Sequence, residues 1–219
     1  MKNPWTTLPN TSPYVLAEDA TAIETFQSRS TDETRLHLDI LPEPFLGRPD
    51  APIVLLNLNP GFSEAETEYH TLDEYFEKSA RANLTHAEQE YPFYFLNPEK
   101  ERQSPGHLWW RSRLRTLLDI YGPKKLANEL LCVEYFPYHS MRYSGDCPTL
   151  PSQEYGFYLV HEAMSRNAVI IIMRAKKLWL ASVPDLESHP HHTLHNPRAV
   201  YVTEGNAGAG YSAIRERLG

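Results

Sequence analysis

Long apolar runs are missing from this chain. The longest, AVIIIM at 168–173, falls far short of the roughly 20 residues a membrane-spanning helix needs. The opening stretch MKNPWTTLPNTSPYVLAEDA has neither the basic start nor the apolar core of a secretory signal. A soluble, cytoplasmic protein is the expectation. Cysteine is scarce too. Cys132 and Cys147 cannot build a disulfide framework, and they are too few for an all-cysteine iron–sulfur cluster or a Cys-rich zinc site. Cys132, inside an apolar run, reads as a small core residue. Positive charge is in deficit, with a net charge of −7, which argues against broad attraction to nucleic acid and leaves only a local basic face for it. Internal repeats and low-complexity tracts are absent.

What remains is a chain of 219 residues, 41% hydrophobic, long for one domain and short for two. A single domain over 1–219 is expected, with 1–50 as an irregular N-terminal extension packed on it around one helix within 17–30. The segment LPEPFLGRPD (41–50) reads as a loop because Pro42, Pro44 and Pro49 oppose regular structure. Strands are expected in APIVLLNL (51–58), at the end of KLANELLCVEYFP (125–137), in AVIIIMR (168–174) and in AVYVT (199–203). Helical spacing marks TLDEYFEKSARA (71–82), and LWWRSRLRTLLDIYG (108–122) reads as one amphipathic helix stopped by Gly122 and Pro123. A long loop covers 90–107. Helices are also expected in QEYGFYLVHEAMSRN (153–167), AKKLWLASV (175–183) and YSAIRERL (211–218). Alternating strands and helices imply a three-layer α/β sandwich around a mostly parallel sheet of four strands. Ligands of such sheets sit at the carboxyl ends of the strands.

The first strand stops abruptly at Asn59-Pro60-Gly61. Pro60 fixes φ and lacks a donor, and Gly61 can take conformations closed to other residues, so together they can turn the chain sharply and hold Asn59 at the mouth of the sheet. The stretch EGNAGAG (204–210), after the last expected strand, would lie at the same edge.

The segment LNLNPGFSEA, with Asn59, Pro60, Gly61, Phe62 and Ser63, resembles the first motif of the uracil-DNA glycosylase superfamily, above all its mismatch-specific branch; Asn57 stands where that motif begins with Gly. EYPFYFLNP is similar to the family's aromatic segment, which puts Phe93 at the residue that stacks on the flipped base. AVYVTEGNAGAGYSAI is similar to the last strand and second motif, with Asn206 on the motif's Asn or His, and Ala207 and Gly208 in place of Pro-Ser. The resemblance spans about residue 53 to the C-terminus. It implies hydrolysis of an N-glycosidic bond, in which Asn59 orients a water and Asn206, with backbone N–H groups of the Gly-rich loop, stabilises the leaving base. It needs no metal or redox cofactor.

The departures from that pattern carry chemistry of their own. Glu134 takes the place of an Asn that reads the Watson–Crick edge; an ionised carboxylate only accepts hydrogen bonds, so a base with two neighbouring donors, such as guanine, suits it better than uracil. Gly210 replaces the Leu wedge of the mismatch-specific branch, leaving Tyr211 either to stack or to serve as core. His139 follows a strand end and faces the expected cleft, as a structural histidine, a general acid or a phosphate contact. His189, His191, His192 and His195 crowd one segment, but Pro190 and Pro197 break any helix that would align them, so a solvated loop is the reading and no metal is expected. The expected partner is DNA or a nucleobase-containing ligand, bound by a monomer. Two other readings stay open: a nucleobase- or nucleotide-binding protein without catalysis, and a nucleosidase acting on a free small molecule.

Overall fold

Every residue of the strands Ile53–Asn57 and Leu130–Glu134 is buried, as strands covered on both faces must be. In chain order the elements are α1 (Ala20–Gln27), β1 (Phe45–Gly47), β2 (Ile53–Asn57), α2 (Glu64–Leu72), α3 (Glu74–Leu84), α4 (Pro105–Arg113), α5 (Arg115–Tyr121), α6 (Pro123–Glu129), β3 (Leu130–Glu134), α7 (Gln153–Ser165), β4 (Val169–Ile172), α8 (Lys176–Ser182), β5 (His192–Thr193), α9 (Glu204–Ala207) and α10 (Ala209–Leu218). The computed structural model describes residues 1–99 and 104–219. Within the loop expected over 90–107, residues 100–103 lie outside the described residues; the rest holds a short 3-10 turn, Tyr94–Leu96, and the start of α4.

The sheet has the order β1-β3-β2-β4-β5. It is parallel throughout except for β1, which runs antiparallel to β3 at the edge. Strand parity divides the interior in two. Val54, Leu56, Leu131, Val133, Ile170 and Ile172 pack with residues of α1, α7 and α8. Ile53, Leu55, Leu130, Cys132 and Ile171 pack with residues of α3 to α6 and α10. Side chains of a strand alternate between faces, so these are the two faces of one sheet, each under its own helical layer.

The sheet thus has five strands where four were expected. The extra one, β1, lies inside the proline-rich stretch read as a loop: Pro44 and Pro49 flank it, and an edge strand tolerates proline neighbours. The last strand is also displaced. AVYVT is not extended sheet; β5 falls in the His-rich segment instead. Val200 and Val202 are buried, but their stretch bonds elsewhere. The Val202 N–H donates to the Arg113 carbonyl at 2.9 Å, and the Asn206 side-chain amide donates to the carbonyls of Ala199 and Tyr201. Apolar content was right there, and backbone pairing was not. The single helix expected over 108–122 is broken at Leu114, whose φ of −104° and ψ of 9° end α4 and begin α5.

The first fifty residues supply α1 and β1, and Trp5, Leu16, Ile23 and Phe26 join the core under Val54 and Leu56. Asp19 ties them on, accepting from the Tyr138 hydroxyl at 2.9 Å and from the Ser152 N–H at 3.1 Å. At the other end of the chain, α10 approaches the sheet closely at Gly210. A Cβ there would lie 2.8 Å from both His192 Cβ and Ile171 Cδ1.

Candidate functional site

A cleft of about 510 Å³ opens at the carboxyl ends of β2 and β3. Its floor is made by strand ends, where side chains are held on the most rigid backbone of the fold. Asn57 ends β2 and Glu134 ends β3, opposite each other in the parallel register. Parity sends both to the same face. Asn57 Nδ2 donates to Glu134 Oε1 at 2.9 Å, and the Trp179 indole N–H pins the Asn57 carbonyl at 2.8 Å. Both side chains are buried, 4% and 6% exposed, yet Asn57 Oδ1 and Glu134 Oε2 have no hydrogen-bond partner among the described residues. Burial raises the Glu134 carboxyl to about 7, against the opposing pull of the Asn57 bond and of Arg174.

The Asn59-Pro60-Gly61 turn is laced to the loop that follows β3. Asn59 Nδ2 donates to Ser140 Oγ and to the Pro60 carbonyl, both at 3.0 Å. His139 donates from Nδ1 to the Gly61 carbonyl at 2.7 Å. Gly61 and Ser140 form an isolated parallel bridge. With its nitrogen anchored, Asn59 presents Oδ1 as the atom left to accept from a ligand or a water. The conformational freedom expected of Gly61 is not used: Gly61 is not among the positive-φ glycines, and a Cβ there meets nothing within 4 Å. Crosslinking by Ser140 and His139, rather than a glycine-only backbone, fixes the turn.

Burial lowers the His139 imidazole to about 4, so it is neutral at physiological pH, a clamp on the turn more than an acid. Glu66, on the first turns of α2, also lines the cleft, and burial raises its carboxyl to about 7. Ser63 at the head of the same helix has a buried Oγ with no hydrogen-bond partner among the described residues. Phe62 lines the cleft and stacks on His37, ring centroids 3.2 Å apart and planes within 7°. The opposite walls are Phe95, Trp109 and Trp110, with Glu43 behind and Arg174 at the end of β4. The Arg174 guanidinium makes no hydrogen bond or ion pair among the described residues, whereas Arg142 at the rim faces Glu33 at 3.5 Å.

Asn59, Pro60, Gly61, Phe62, Ser63, Glu134 and His139 therefore come together. Phe93, Asn206, Gly208 and Tyr211 do not line this cleft. Phe93 is 0% exposed and packs edge-on against Trp110; Phe95, two residues on, is the aromatic that reaches the cavity. The Asn206 side chain is consumed by its own loop, donating to Ala199 and Tyr201 and accepting from the Asn196 N–H at 2.7 Å. The N–H groups of Asn206, Ala207 and Gly208 are spent on Thr203 and Glu204 carbonyls. Gly208 has a φ of +52° and links α9 to α10, and Tyr211 is buried in the core. The expectation that Asn59 and Asn206 line one cleft is not met, because the last parallel strand is β5. The loop leaving its carboxyl end is Leu194-His195-Asn196, not the Gly-rich segment.

Asn57 and Glu66 were not expected as cleft residues. Only the position of Asn57 two residues before Asn59 signalled it: in an extended strand, i and i+2 share a face. Among the described residues, no group of three or more His, Cys, Asp or Glu is placed to hold a metal ion, and no helix is long and apolar enough to cross a membrane. A wider hollow of about 780 Å³ at the amino ends of the strands is lined by Arg48, Asp50 and Glu90. Arg48 pairs there with Asp50 at 2.7 Å, and Glu90 pairs with Lys124 at 2.8 Å. Compared with protein-family models, with curated proteins and with solved structures, the chain matches none.

Proposed function

We propose that the chain hydrolyses an N-glycosidic bond, holding a nucleobase in the cleft between the Asn57–Glu134 floor and the aromatic walls. One observation carries the reading: Asn59 lines the cavity with Nδ2 anchored, which leaves its Oδ1 to accept, and the cavity floor bears two buried acceptors with no partner among the described residues. A carboxamide oxygen so fixed accepts from a water and orients it for attack at the anomeric carbon. The bond from that carbon to the base nitrogen then breaks with its electron pair on the base, and the water, once bonded to the carbon, releases its proton to bulk solvent. Glu66, protonated in part near neutral pH, is a cleft group with a proton to give the base, where the resemblance has Asn206 stabilise the leaving base by hydrogen bonding. The parallel sheet with an Asn-Pro-Gly turn at its central strand is consistent with the resemblance to the uracil-DNA glycosylase superfamily and supports this reading.

A second reading, recognition of a base without cleavage, is favoured by the distance of Asn206 from the cleft, since backbone donors for an anionic leaving base are then missing from that side. DNA is the expected substrate carrier. With a net charge of −7 and Arg142 facing Glu33, its binding should be weak and weaken further with salt.

The test is base release from single- and double-stranded oligonucleotides and free nucleosides bearing uracil, hypoxanthine, xanthine, guanine or mismatched bases, with Asn59→Ala as control. Release that vanishes in the variant establishes the activity and its carrier. Binding without release from folded protein at high concentration selects the second reading.

A further inference from the structure

Three neighbouring strand ends meet the cavity in spatial order β3, β2, β4. Each contributes one polar group without a partner among the described residues. Glu134 offers Oε2 and Asn57 offers Oδ1. Arg174, whose N–H bonds to the Leu56 carbonyl on the far side of β2 from Glu134, offers a guanidinium. The row therefore reads acceptor, acceptor, donor.

We infer that this row recognises guanine through its Watson–Crick edge, the 2-amino group on Glu134, N1–H on Asn57 Oδ1 and O6 on Arg174. The inference rests on the base-binding reading of the cleft. Guanine presents donor, donor, acceptor along that edge. Uracil presents acceptor, donor, acceptor and sets an oxygen against the carboxylate. Hypoxanthine matches two of three positions and leaves Glu134 bare, and adenine puts its N1 lone pair against an acceptor. Asn57 cannot flip its amide to suit another base, because Nδ2 is committed to Glu134 Oε1. Leaving a buried acceptor unpaired is what makes such a site reject the wrong edge. The aromatic walls Phe62 and Phe95 suit a planar ring system.

The test is calorimetric binding of deoxyguanosine, deoxyinosine, deoxyadenosine and deoxyuridine at pH 8, each offered free and as the single base of an otherwise abasic strand, to wild type and Glu134→Gln. Gln keeps the bond from Asn57 and can turn its amide nitrogen toward the ligand. Wild type should hold guanine about tenfold or more tighter than hypoxanthine or uracil, and Glu134→Gln should reverse the order of guanine and uracil. Uracil held by wild type as tightly as guanine overturns the inference and leaves the base cleft standing. A guanine preference untouched by Glu134→Gln also overturns it. No base held in either form, by protein whose circular dichroism shows it folded, overturns the base-binding reading itself. If the variant does not fold, the wild-type series decides alone.

Discussion

Asn57 and Glu134 face each other across β2 and β3 through one 2.9 Å hydrogen bond, and each keeps a buried oxygen, Oδ1 and Oε2, with no partner among the described residues. The pair costs stability when Glu134 is ionised. Its carboxyl titrates near 7 in the fold and near its ordinary value of about 4.3 in the unfolded chain, so between those values the folded state binds the proton more tightly. Stability from this group is therefore greatest in acid, falls as pH rises through that window, and levels off above it. Glu134→Gln should gain on wild type between pH 5 and pH 8 by roughly 2–3 kcal/mol, measured by urea denaturation. An unchanged difference between the two pH values would show that burial does not hold the proton.

Removal of Ser140 Oγ leaves Asn59 in place but unlaced. Ser140→Ala should lower kcat for base release by about tenfold with little change in KM, while Asn59→Ala should lower it by about a hundredfold or more. Equal effects from both would place the water elsewhere.

The aromatic residues divide cleanly into support and contact. Phe93→Ala should destabilise the fold by about 3–5 kcal/mol, because its ring is fully enclosed against Trp110. Phe62→Ala should shift the melting temperature little and weaken base binding by about 1–3 kcal/mol. Thermal melts paired with binding titrations separate the two.

Close approach of α10 to the sheet makes Gly210 intolerant of any side chain. Gly210→Ala should cost about 1–3 kcal/mol through overpacking against His192 and Ile171. A melt equal to wild type would mean that the helix moves away freely.

Asn206→Ala should loosen 195–206 without touching the cleft floor. Hydrogen exchange is expected to rise at the N–H of Asn196, which donates to the Asn206 side chain, while the Asn57 and Glu134 amides stay protected. Faster exchange at those strand ends as well would refute a local role.

Much of this was legible in the residues. The three inner strands declare themselves by apolar runs, and the alternation of β with α predicts the parallel sheet. The Asn-Pro-Gly stop locates the mouth of the cleft. The rest depends on backbone pairing that residue types do not encode. Val200 and Val202 have the apolarity of a strand, but an Asn206 side chain and an Arg113 carbonyl take up that backbone, while His192 and Thr193, polar enough to read as a loop, pair with β4. That exchange moved the second half of the expected site. Phe93 and Phe95 are indistinguishable by type; which one is enclosed follows from the short turn at Tyr94–Leu96 and from Gly106, where an added Cβ would lie 2.4 Å from the Phe95 ring.

The strand order also constrains how the chain is made. β2, at the centre of the sheet, pairs with β3 and β4 and with nothing earlier in the chain. At ribosomal rates of about 5–20 residues per second, the wait between the emergence of residue 57 and that of residue 172 is on the order of ten seconds. IVLLN keeps its β3-facing edge unpaired until residue 134 emerges and its β4-facing edge until residue 172, while Trp5, Leu16, Ile23 and Phe26, already made, serve only the face of Val54 and Leu56. Holding this one pentapeptide apart from other nascent chains is then a demand the fold makes on chaperones, heaviest before β3 arrives.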